Sequence, residues 1–258
     1  EVDLVSAKPK FVKLKEEDEF EIDSDLIRKS ITRKTKALII NTPSNPTGNV
    51  LKRSTLEELA DIARDKNLLI LSDEAYEDLV YEGEHVSIGS LNGMEKNVIS
   101  FFTFSKSYAM CGFRVGYVVG EKDFMKALTK VSHYVTLCPP HLSQLAALKA
   151  LTISPKYIEL MKEEYNKRRK FIVKRLNQIG LYTVNPKGAF YAFSNISNYS
   201  KDSFRFADRL LKKAKVAVVP GREFGPYGEG YVRFSYATKL SNIKIAMDRL
   251  EGFLRWKR

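Results

Sequence analysis

The sequence is poor in cysteine and has no long apolar run. Cys111 and Cys138 are the two cysteines in 258 residues, too few for a disulfide framework, and no cysteines and histidines stand at metal-ligand spacing. No run of about 18 apolar residues could span a bilayer, and the first ten residues lack the charged start and apolar core of a secretory signal. We therefore expect a cytoplasmic protein with reduced thiols and no bound metal.

Acidic residues are few relative to basic ones, which gives a formal net charge of +12. A nucleic-acid-binding surface would need clustered basic residues, but residues 162–175, for example, mix both signs along one helical stretch. The hydrophobic fraction of 44% and the charged fraction of 29% are those of an ordinary folded protein. We expect a globular protein that acts on small molecules rather than on nucleic acid or membranes.

Four short apolar segments in the first half of the chain predict β-strands. They are residues 36–43, 68–73, 98–104 and 115–119. Strands without polar alternation are typical of a sheet that helices cover on both faces, so we expect these strands to be buried. The predicted fold class is α/β with a mostly parallel sheet.

Residues 54–66 predict a helix between the first two strands. The apolar residues of one face recur at helical spacing: Leu56, Leu59, Ile62 and Ala63. Because Glu57 follows Ser54 by three residues, we also predict a capping box at the start of this helix.

The second half of the chain begins with a long predicted helix. Ser154 and Pro155 indicate its start and Gly180 its end. Its apolar stripe comprises Tyr157, Leu160, Met161, Tyr165, Ile172, Leu176 and Ile179. Such a helix could join two domains.

Short strands and helices follow, in a pattern typical of a smaller α+β domain. The predicted strands are residues 189–193, 216–219 and 231–235, and the predicted helices are residues 202–215 and a last one from residue 241. We therefore divide the chain into a large domain, residues 1–153, and a linking helix with a small C-terminal domain, residues 154–258.

Polar side chains follow the predicted strands. They occur in NTPSNPTG (41–48), DEAY (73–76) and TFSK (103–106), and Arg233 lies within the last strand, YVRFS. Each has an ordinary structural explanation: a turn, a helix cap, a solvated lysine or a surface ion pair. Ligands of open α/β sheets, however, gather where the strands end, so we expect these side chains to share one site.

Together these groups match the needs of pyridoxal phosphate. This cofactor requires a lysine to hold its aldehyde as a Schiff base, an acid to keep its pyridine nitrogen protonated, and donors for its phosphate. The sequence also resembles the class I/II, fold-type I pyridoxal-phosphate aminotransferases of the aspartate aminotransferase superfamily. The resemblance spans the chain and rests on SNPTG, DEAY, FSKSYAMCGFRVGY, KGAFYAF and PGREFGPYGEGYVRFSYAT, in that order.

The resemblance implies a role for each matching residue. Lys106 would hold the cofactor and then move the proton at the substrate α-carbon, which requires a neutral amine. Asp73 would pair with the protonated pyridine nitrogen. Asn45 and Tyr76 would hydrogen-bond the phenolic oxygen of the ring. These assignments make Lys106, Asp73 and Tyr76 the expected catalytic residues.

The remaining implied roles concern two anions. Thr103, Ser105 and Arg114 would bind the cofactor phosphate. Arg233 would bind the substrate α-carboxylate in a bidentate geometry that lysine cannot reproduce, and Asn45 would be a second substrate-binding residue. The glycine-rich stretch 220–230 is interpreted as a shaped loop that delivers Arg233, and residues 187–193 as mainly packing.

The resemblance implies an enzyme of amino acid metabolism that transfers an amino group from an amino acid to a 2-oxo acid of the 2-oxoglutarate type. It also implies a homodimer. Dicarboxylate-specific relatives often use a second arginine in the stretch that matches residues 132–140. That stretch contains His133 but no arginine, so it does not favour aspartate specificity, and aspartate, aromatic, alanine-type and broad specificity all stay open.

Two further matters bear on function. The family's upstream segment, with its phosphate-binding glycine turn and ring-stacking aromatic residue, matches nothing here, so we expect the N-terminal part of the large domain to be absent. If the polypeptide begins at Glu1, we expect weak cofactor binding. The alternatives are a C–S lyase, an aminocyclopropanecarboxylate-type synthase, the aminotransferase-like effector domain of a transcription regulator, and a non-catalytic remnant.

Overall fold

The computed structural model describes residues 2–255, and the strands within this range form two separate sheets. The first and last residues of the two predicted domains, Glu1 and Arg258, lie outside the described residues. The division of the chain between residues 153 and 154 stays a prediction.

The first sheet contains four strands in chain order. They are β1 (Ala37–Asn41), β2 (Leu69–Asp73), β3 (Val98–Thr103) and β4 (Gly116–Val119). The first three run parallel and β4 is antiparallel to β3, which confirms a mostly parallel sheet within an α/β fold. Because β1, β2 and β3 are parallel, their carboxyl ends lie at one edge, with Asn41 paired to Asp73 and Asp73 to Phe101.

Helices α1 (Ser24–Ser30) and α2 (Arg53–Lys66) accompany this sheet. The predicted apolar face of α2 is confirmed, because Leu56, Leu59, Ile62 and Ala63 are all buried in a core shared with β1 and β2.

The predicted capping box of α2 is wrong. Lys52 precedes the helix and contributes no side-chain cap, and Ser54 lies inside the first turn. Glu57 instead accepts a hydrogen bond from Nε of Arg53, four residues earlier, at 2.9 Å. The Glu57 carboxylate, which a capping box would require, is therefore engaged in an i,i+4 ion pair with Arg53.

The expected burial of all four strands is wrong for β4. Its four residues are exposed, and Ile39 of β1 is also exposed. Helices α3 (Lys122–Val135) and α4 (His141–Ala150) follow β4 and keep several exposed apolar side chains, among them Tyr134 and Leu142. An apolar run shows that a strand can be buried, but burial also requires a neighbouring element.

The long helix α5 (Lys156–Gln178) lies where the sequence predicted it. It ends before Gly180, whose φ of 87° belongs to the left-handed region that glycine adopts without strain. Its apolar stripe is buried only toward the C-terminal end: Ile172 and Leu176 are buried, whereas Tyr157 and Leu160 are exposed. Ile172 and Leu176 belong to a hydrophobic core at this end of the helix, and Met161 and Tyr165 in the middle of the helix are partly buried against core residues.

The second sheet is antiparallel, with the order β5-β7-β6. Its elements are β5 (Tyr191–Asn195), β6 (Val219–Pro220) and β7 (Tyr231–Ser235), with helices α6 (Ser203–Ala214) and α7 (Leu240–Arg255). Residues of α5, α6, α7 and the sheet share one core, as expected of an α+β arrangement. The predicted strand 216–219 is wrong except at its end: α6 is followed by Lys215 with a left-handed backbone (φ 58°), and β6 begins only at Val219.

Cys111 and Cys138 are both exposed and unpaired, so the prediction of free thiols is confirmed. Within residues 2–255, none of the helices combines the length and apolar character needed to cross a membrane. Cytoplasmic location stays a prediction.

Candidate active site

Hydrogen bonds join the loop after β1 to the end of β2. Asn41 Nδ2 and the Thr42 backbone N–H both donate to the Asp73 carbonyl oxygen, each at 3.1 Å. Asn41 Oδ1 accepts from the Asn45 backbone N–H at 2.7 Å. The parallel register therefore brings two of the predicted site residues, Asn45 and Asp73, to the same edge of the first sheet.

Asp73 ends β2, and Tyr76 lies in the turn that follows. Asp73 Oδ1 accepts from the Ala75 N–H at 3.1 Å. Tyr76 is buried, and its hydroxyl lies 2.9 Å from the hydroxyl of Tyr191. Burial raises the pKa of Tyr76 far above its ordinary value; the bond with Tyr191 raises it further, and the positive charge of Arg233 opposes both. Tyr76 is therefore a neutral phenol at physiological pH.

Lys106 lies in the turn that follows β3. Its Nζ is 5.6 Å from the ring centroid of Tyr76 and 5.9 Å from that of Phe190, distances at which an ammonium group is attracted to an aromatic face. Among residues 2–255, no carboxylate forms an ion pair with Lys106. A lysine held by aromatic rings, and not by a counter-ion, remains available for chemistry.

Two hydroxyl residues flank this lysine. Thr103 Oγ1 donates to Ser105 Oγ at 2.9 Å and accepts from the Ser105 N–H at 3.1 Å. The pairing of β3 with β4 joins Thr103 to Gly116, so the chain just before β4 lies beside this turn.

Arg114 is the predicted site residue that the structure leaves apart from the others. It is exposed, its backbone is left-handed (φ 52°), and its Nη1 donates to the Cys111 carbonyl at 2.9 Å. Within the described part of the chain its guanidinium makes no hydrogen bond to Thr103 or Ser105. A left-handed backbone costs a non-glycine residue free energy, and such residues cluster at functional sites.

Arg233 reaches the first sheet from the central strand of the second. Its Nη1 donates to Asn45 Oδ1 at 2.7 Å. Its guanidinium carbon lies 4.3 Å from the ring centroid of Tyr191 and 4.9 Å from that of Phe224. Its Nε is buried without a hydrogen-bond partner. A buried donor of this kind is costly to leave unpaired, which indicates a place for an anionic ligand.

The glycine-rich loop 220–230 shapes the surroundings of Arg233. A Cβ atom on Gly221 would lie 1.9 Å from the carbonyl oxygen of Gly228, and one on Gly228 would lie 2.0 Å from that of Gly221. The two glycines therefore pack back to back, and the short helical turn Gly221–Phe224 brings the Phe224 ring to the guanidinium of Arg233.

The sequence did not single out Tyr191. The pattern of residues 187–193 indicates mainly packing, yet the Tyr191 hydroxyl bonds Tyr76 and its ring contacts Arg233. The signal available was a phenol in an otherwise apolar strand, since a buried tyrosine hydroxyl usually has a partner.

A buried acid, Glu74, was also missed. Its carboxylate accepts from His85 Nε2 at 2.8 Å and from Ser87 Oγ at 3.0 Å. Burial by itself raises the pKa of Glu74, but hydrogen bonds from His85, Ser100 and Ser87 outweigh burial and hold it below its ordinary value. No local pattern indicated this contact, because His85 is eleven residues away in the chain.

Four of the predicted residues, Lys106, Tyr76, Arg233 and Asn45, form one connected group, while Asp73 lies at the same sheet edge, Thr103 and Ser105 flank Lys106, and Arg114 lies apart. Contacts run from Lys106 to Tyr76, from Tyr76 through Tyr191 to Arg233, and from Arg233 to Asn45. The group combines an amine, a carboxylate, a neutral phenol, two hydroxyls and a guanidinium. Such a set can bind an anionic ring compound together with a compound that carries a carboxylate. Its amine can move a proton between these two bound compounds.

Comparison with known proteins agrees with this chemistry. The sequence profile of the family "Aminotransferase class I and II" matches residues 2–250. The aspartate aminotransferase of Pyrococcus abyssi is 48% identical over 258 residues, which cover 99% of this chain and 66% of that protein. The aromatic-amino-acid aminotransferase 2 of Thermococcus litoralis is 46% identical, with the same coverage of 99% and 66%.

A solved structure extends the similarity to the fold. The aromatic aminotransferase from Pyrococcus horikoshii superposes with a TM-score of 0.96 at 46% identity, over 99% of this chain and 69% of that one. The chain spans 66% of the length of the two curated relatives.

Proposed function

The chain belongs to the class I and II aminotransferases, and from this we propose that it carries the catalytic group of a pyridoxal-phosphate-dependent transaminase. The observation that supports the proposal most directly is one pair of hydroxyl-bonded tyrosines. Lys106 lies near the ring of Tyr76 and Arg233 near the ring of Tyr191. The Tyr76–Tyr191 pair therefore contacts both the amine for the cofactor and the guanidinium for the substrate carboxylate.

The side chains present fit the cofactor. Its ring nitrogen would be held by Asp73, its phenolic oxygen by Asn45 and Tyr76, its aldehyde carbon by Lys106, and its phosphate by Thr103, Ser105 and Arg114. Lys106 has no anionic partner within residues 2–255, and the two hydroxyls lie beside it. When bound, this group supplies an electron sink for the charge that develops at the substrate α-carbon.

The protein's own residues would handle the substrate carboxylate and one proton. The unpaired Nε of Arg233 supports a role in binding the α-carboxylate, which orients the α-carbon before reaction. Lys106 would carry the proton at the substrate α-carbon, and its amine must be neutral to accept it. Asp73 would keep its charge close to the ring nitrogen and favour the protonated form there.

For substrates we propose aspartate or aromatic amino acids, with a 2-oxo acid acceptor of the 2-oxoglutarate type. Two findings support this range. One is that the relatives carry the names of aspartate and aromatic-amino-acid aminotransferases. The other is that the rings of Tyr191 and Phe224 lie against Arg233. We also propose a cytoplasmic homodimer, in keeping with the family.

The test uses the full-length protein with added pyridoxal phosphate. We expect a visible cofactor band that changes when an amino acid is added, with release of the matching 2-oxo acid and amination of 2-oxoglutarate. The Lys106→Ala variant should lose turnover by at least about 1000-fold, because it lacks both the anchor and the base. Lys126→Ala is the matched control, since Lys126 is an exposed lysine paired with Asp123. Full transamination by Lys106→Ala would contradict the assignment, and ammonia release without amination of the acceptor would indicate a lyase.

A further inference from the structure

Tyr191 makes two unlike contacts from one buried position at the start of β5. Its hydroxyl lies 2.9 Å from the Tyr76 hydroxyl, and its ring centroid lies 4.3 Å from the guanidinium carbon of Arg233. In the sheet Tyr191 pairs with Ser235 and Phe193 pairs with Arg233, so Arg233 is the diagonal neighbour of Tyr191. Side chains two residues apart on a strand lie on the same face, which explains why the ring and the guanidinium meet.

The number of protons shared by the Tyr76 and Tyr191 hydroxyls limits which of the two can donate the hydrogen bond between them. Each tyrosine hydroxyl has one proton to donate, and Tyr76 keeps its proton because burial and the bond to Tyr191 raise its pKa. If Tyr76 gives that proton to a bound oxyanion, only Tyr191 can donate within the pair. The donation then makes Tyr76 a stronger donor, because hydrogen bonds in a chain polarise one another.

We propose that Tyr191 is a positioning residue with two separable parts. Its hydroxyl donates to the Tyr76 oxygen and so directs the Tyr76 proton to the phenolic oxygen of the cofactor. Its ring supports the guanidinium of Arg233 at the substrate carboxylate. This inference rests on the proposed function, since it assumes that pyridoxal phosphate is bound beside Tyr76.

The hydroxyl part has a spectroscopic consequence. A hydrogen-bond donor at the phenolic oxygen of the cofactor stabilises negative charge on that oxygen. This stabilisation matters most when the nitrogen that joins Lys106 to the cofactor has lost its proton, because its positive charge no longer offsets the negative one. A weaker donor lets this nitrogen keep its proton to higher pH. The midpoint of the cofactor's absorbance titration should therefore rise when the Tyr191 hydroxyl is removed.

The first variant is Tyr191→Phe in the full-length protein loaded with pyridoxal phosphate. We expect its absorbance midpoint to rise by about half a pH unit to one pH unit, the loss expected for one neutral hydrogen bond. The KM for the amino acid should stay within about twofold, because the ring that supports Arg233 is retained. An unchanged midpoint would overturn the hydroxyl part.

The second variant, Tyr191→Leu, removes the ring as well. It should show the same midpoint shift together with a rise in KM of roughly three- to tenfold, since a cation–π contact is lost. A KM equal to that of Tyr191→Phe would overturn the ring part. Tyr236→Phe is the control, because it deletes another buried tyrosine hydroxyl, one that donates to the Ala189 carbonyl at 3.3 Å. An equal midpoint shift in this control would also overturn the proposal.

A double variant tests whether Tyr191 acts through Tyr76. In the Tyr76→Phe background, Tyr191→Phe should cause no further midpoint shift, because the hydroxyl that it addresses is gone. If the midpoint shifts of the two variants were additive, the proposal that Tyr191 acts through Tyr76 would be overturned. If the unaltered full-length protein forms no cofactor band, the proposed function fails and this inference fails with it. A normal band with no response to Tyr191→Phe overturns the inference alone.

Discussion

Arg233 and Asn45 stand 188 residues apart in the sequence and are joined by a 2.7 Å hydrogen bond from Nη1 to Oδ1. This bond links the central strand of the second sheet to the loop after β1 of the first sheet. It uses one donor of the guanidinium and leaves Nε, which is buried, without a partner. The residue is thus fixed in place and still has a donor for a ligand.

Replacing Arg233 with lysine tests this arrangement. Arg233→Lys keeps the positive charge but loses the planar pair of donors, so we expect kcat/KM to fall by about 10- to 100-fold, mostly through a higher KM. Steady-state kinetics with the best amino acid measures the change. Arg222→Lys is the matched control, because Arg222 is exposed and contacts the ring of Phe204, outside the site. Equal kinetics in both variants would remove Arg233 from the substrate site.

Asp73→Asn tests the assignment at the end of β2. The amide is nearly the same size as the carboxylate but has no charge to favour a protonated ring nitrogen, so we expect kcat to fall by about 10- to 1000-fold. The cofactor should still bind, which the absorbance spectrum checks. Asp123→Asn on α3 serves as the control, since Asp123 is an exposed acid paired with Lys126. Unchanged kcat in Asp73→Asn would rule out this role.

Arg169 should be the most costly arginine to remove. It is buried, it donates to the Pro186 carbonyl at 2.7 Å, and its Nη2 lies 2.7 Å from a Glu82 carboxylate oxygen. Arg169→Ala leaves the Pro186 carbonyl without its donor and removes a buried side chain, whereas the Glu82 side chain is 47% exposed and stays hydrated, so the free energy of unfolding should fall by about 2–4 kcal/mol in chemical denaturation.

A nearby residue provides the control for that measurement. Lys167 on the same helix is exposed and pairs with Glu164 at 3.8 Å, so Lys167→Ala should cost less than about 1 kcal/mol. Similar losses in the two variants would show that burial of Arg169 does not decide its contribution.

Glu77 should make stability depend on pH near neutrality. Burial, followed by the charge of Asp78, raises the pKa of Glu77 from 4.5 to about 7. Between these two values the folded state holds a proton that the unfolded chain has lost, so the free energy of unfolding falls as the pH rises from 4.5 to 7.

Glu77→Gln removes this titration. We expect the free energy of unfolding of the variant at pH 7.5 to be higher by about 1 kcal/mol, a figure that allows for solvent screening. Its free energy of unfolding should also no longer fall as the pH rises toward neutrality. Denaturation midpoints across the pH range measure the effect, with Glu58→Gln on the exposed face of α2 as the control. A decline that persists in Glu77→Gln would show that another group causes it.

The sequence predicted the parts of the site that follow from local pattern. Asp73, Lys106 and Arg233 belong to short motifs at or within predicted strands, and parallel pairing brings the ends of β1, β2 and β3 to one edge. The contacts of these residues could not be predicted in the same way. The bond between Arg233 and Asn45 depends on how the two sheets meet, and no local pattern carries that information.

The wrong predictions have the same origin. Ser54 and Glu57 have capping-box spacing, but the nearby Arg53 offered Glu57 a partner on the helix itself. The apolar residues of β4 satisfy the pattern of a buried strand, yet its exposure is set by which elements cover it. Local patterns state what a segment can do, and tertiary contacts decide which possibility is used.

The back-to-back glycines of the loop 220–230 limit how this site could be redesigned. A side chain at residue 221 or 228 would meet backbone atoms that cannot move aside, so a mutational library should recover only glycine at both positions. Phe224 lies between them, contacts the guanidinium of Arg233 and is free of this restriction. Selection for altered substrate preference should therefore randomise the Phe224 codon and keep the two glycines fixed.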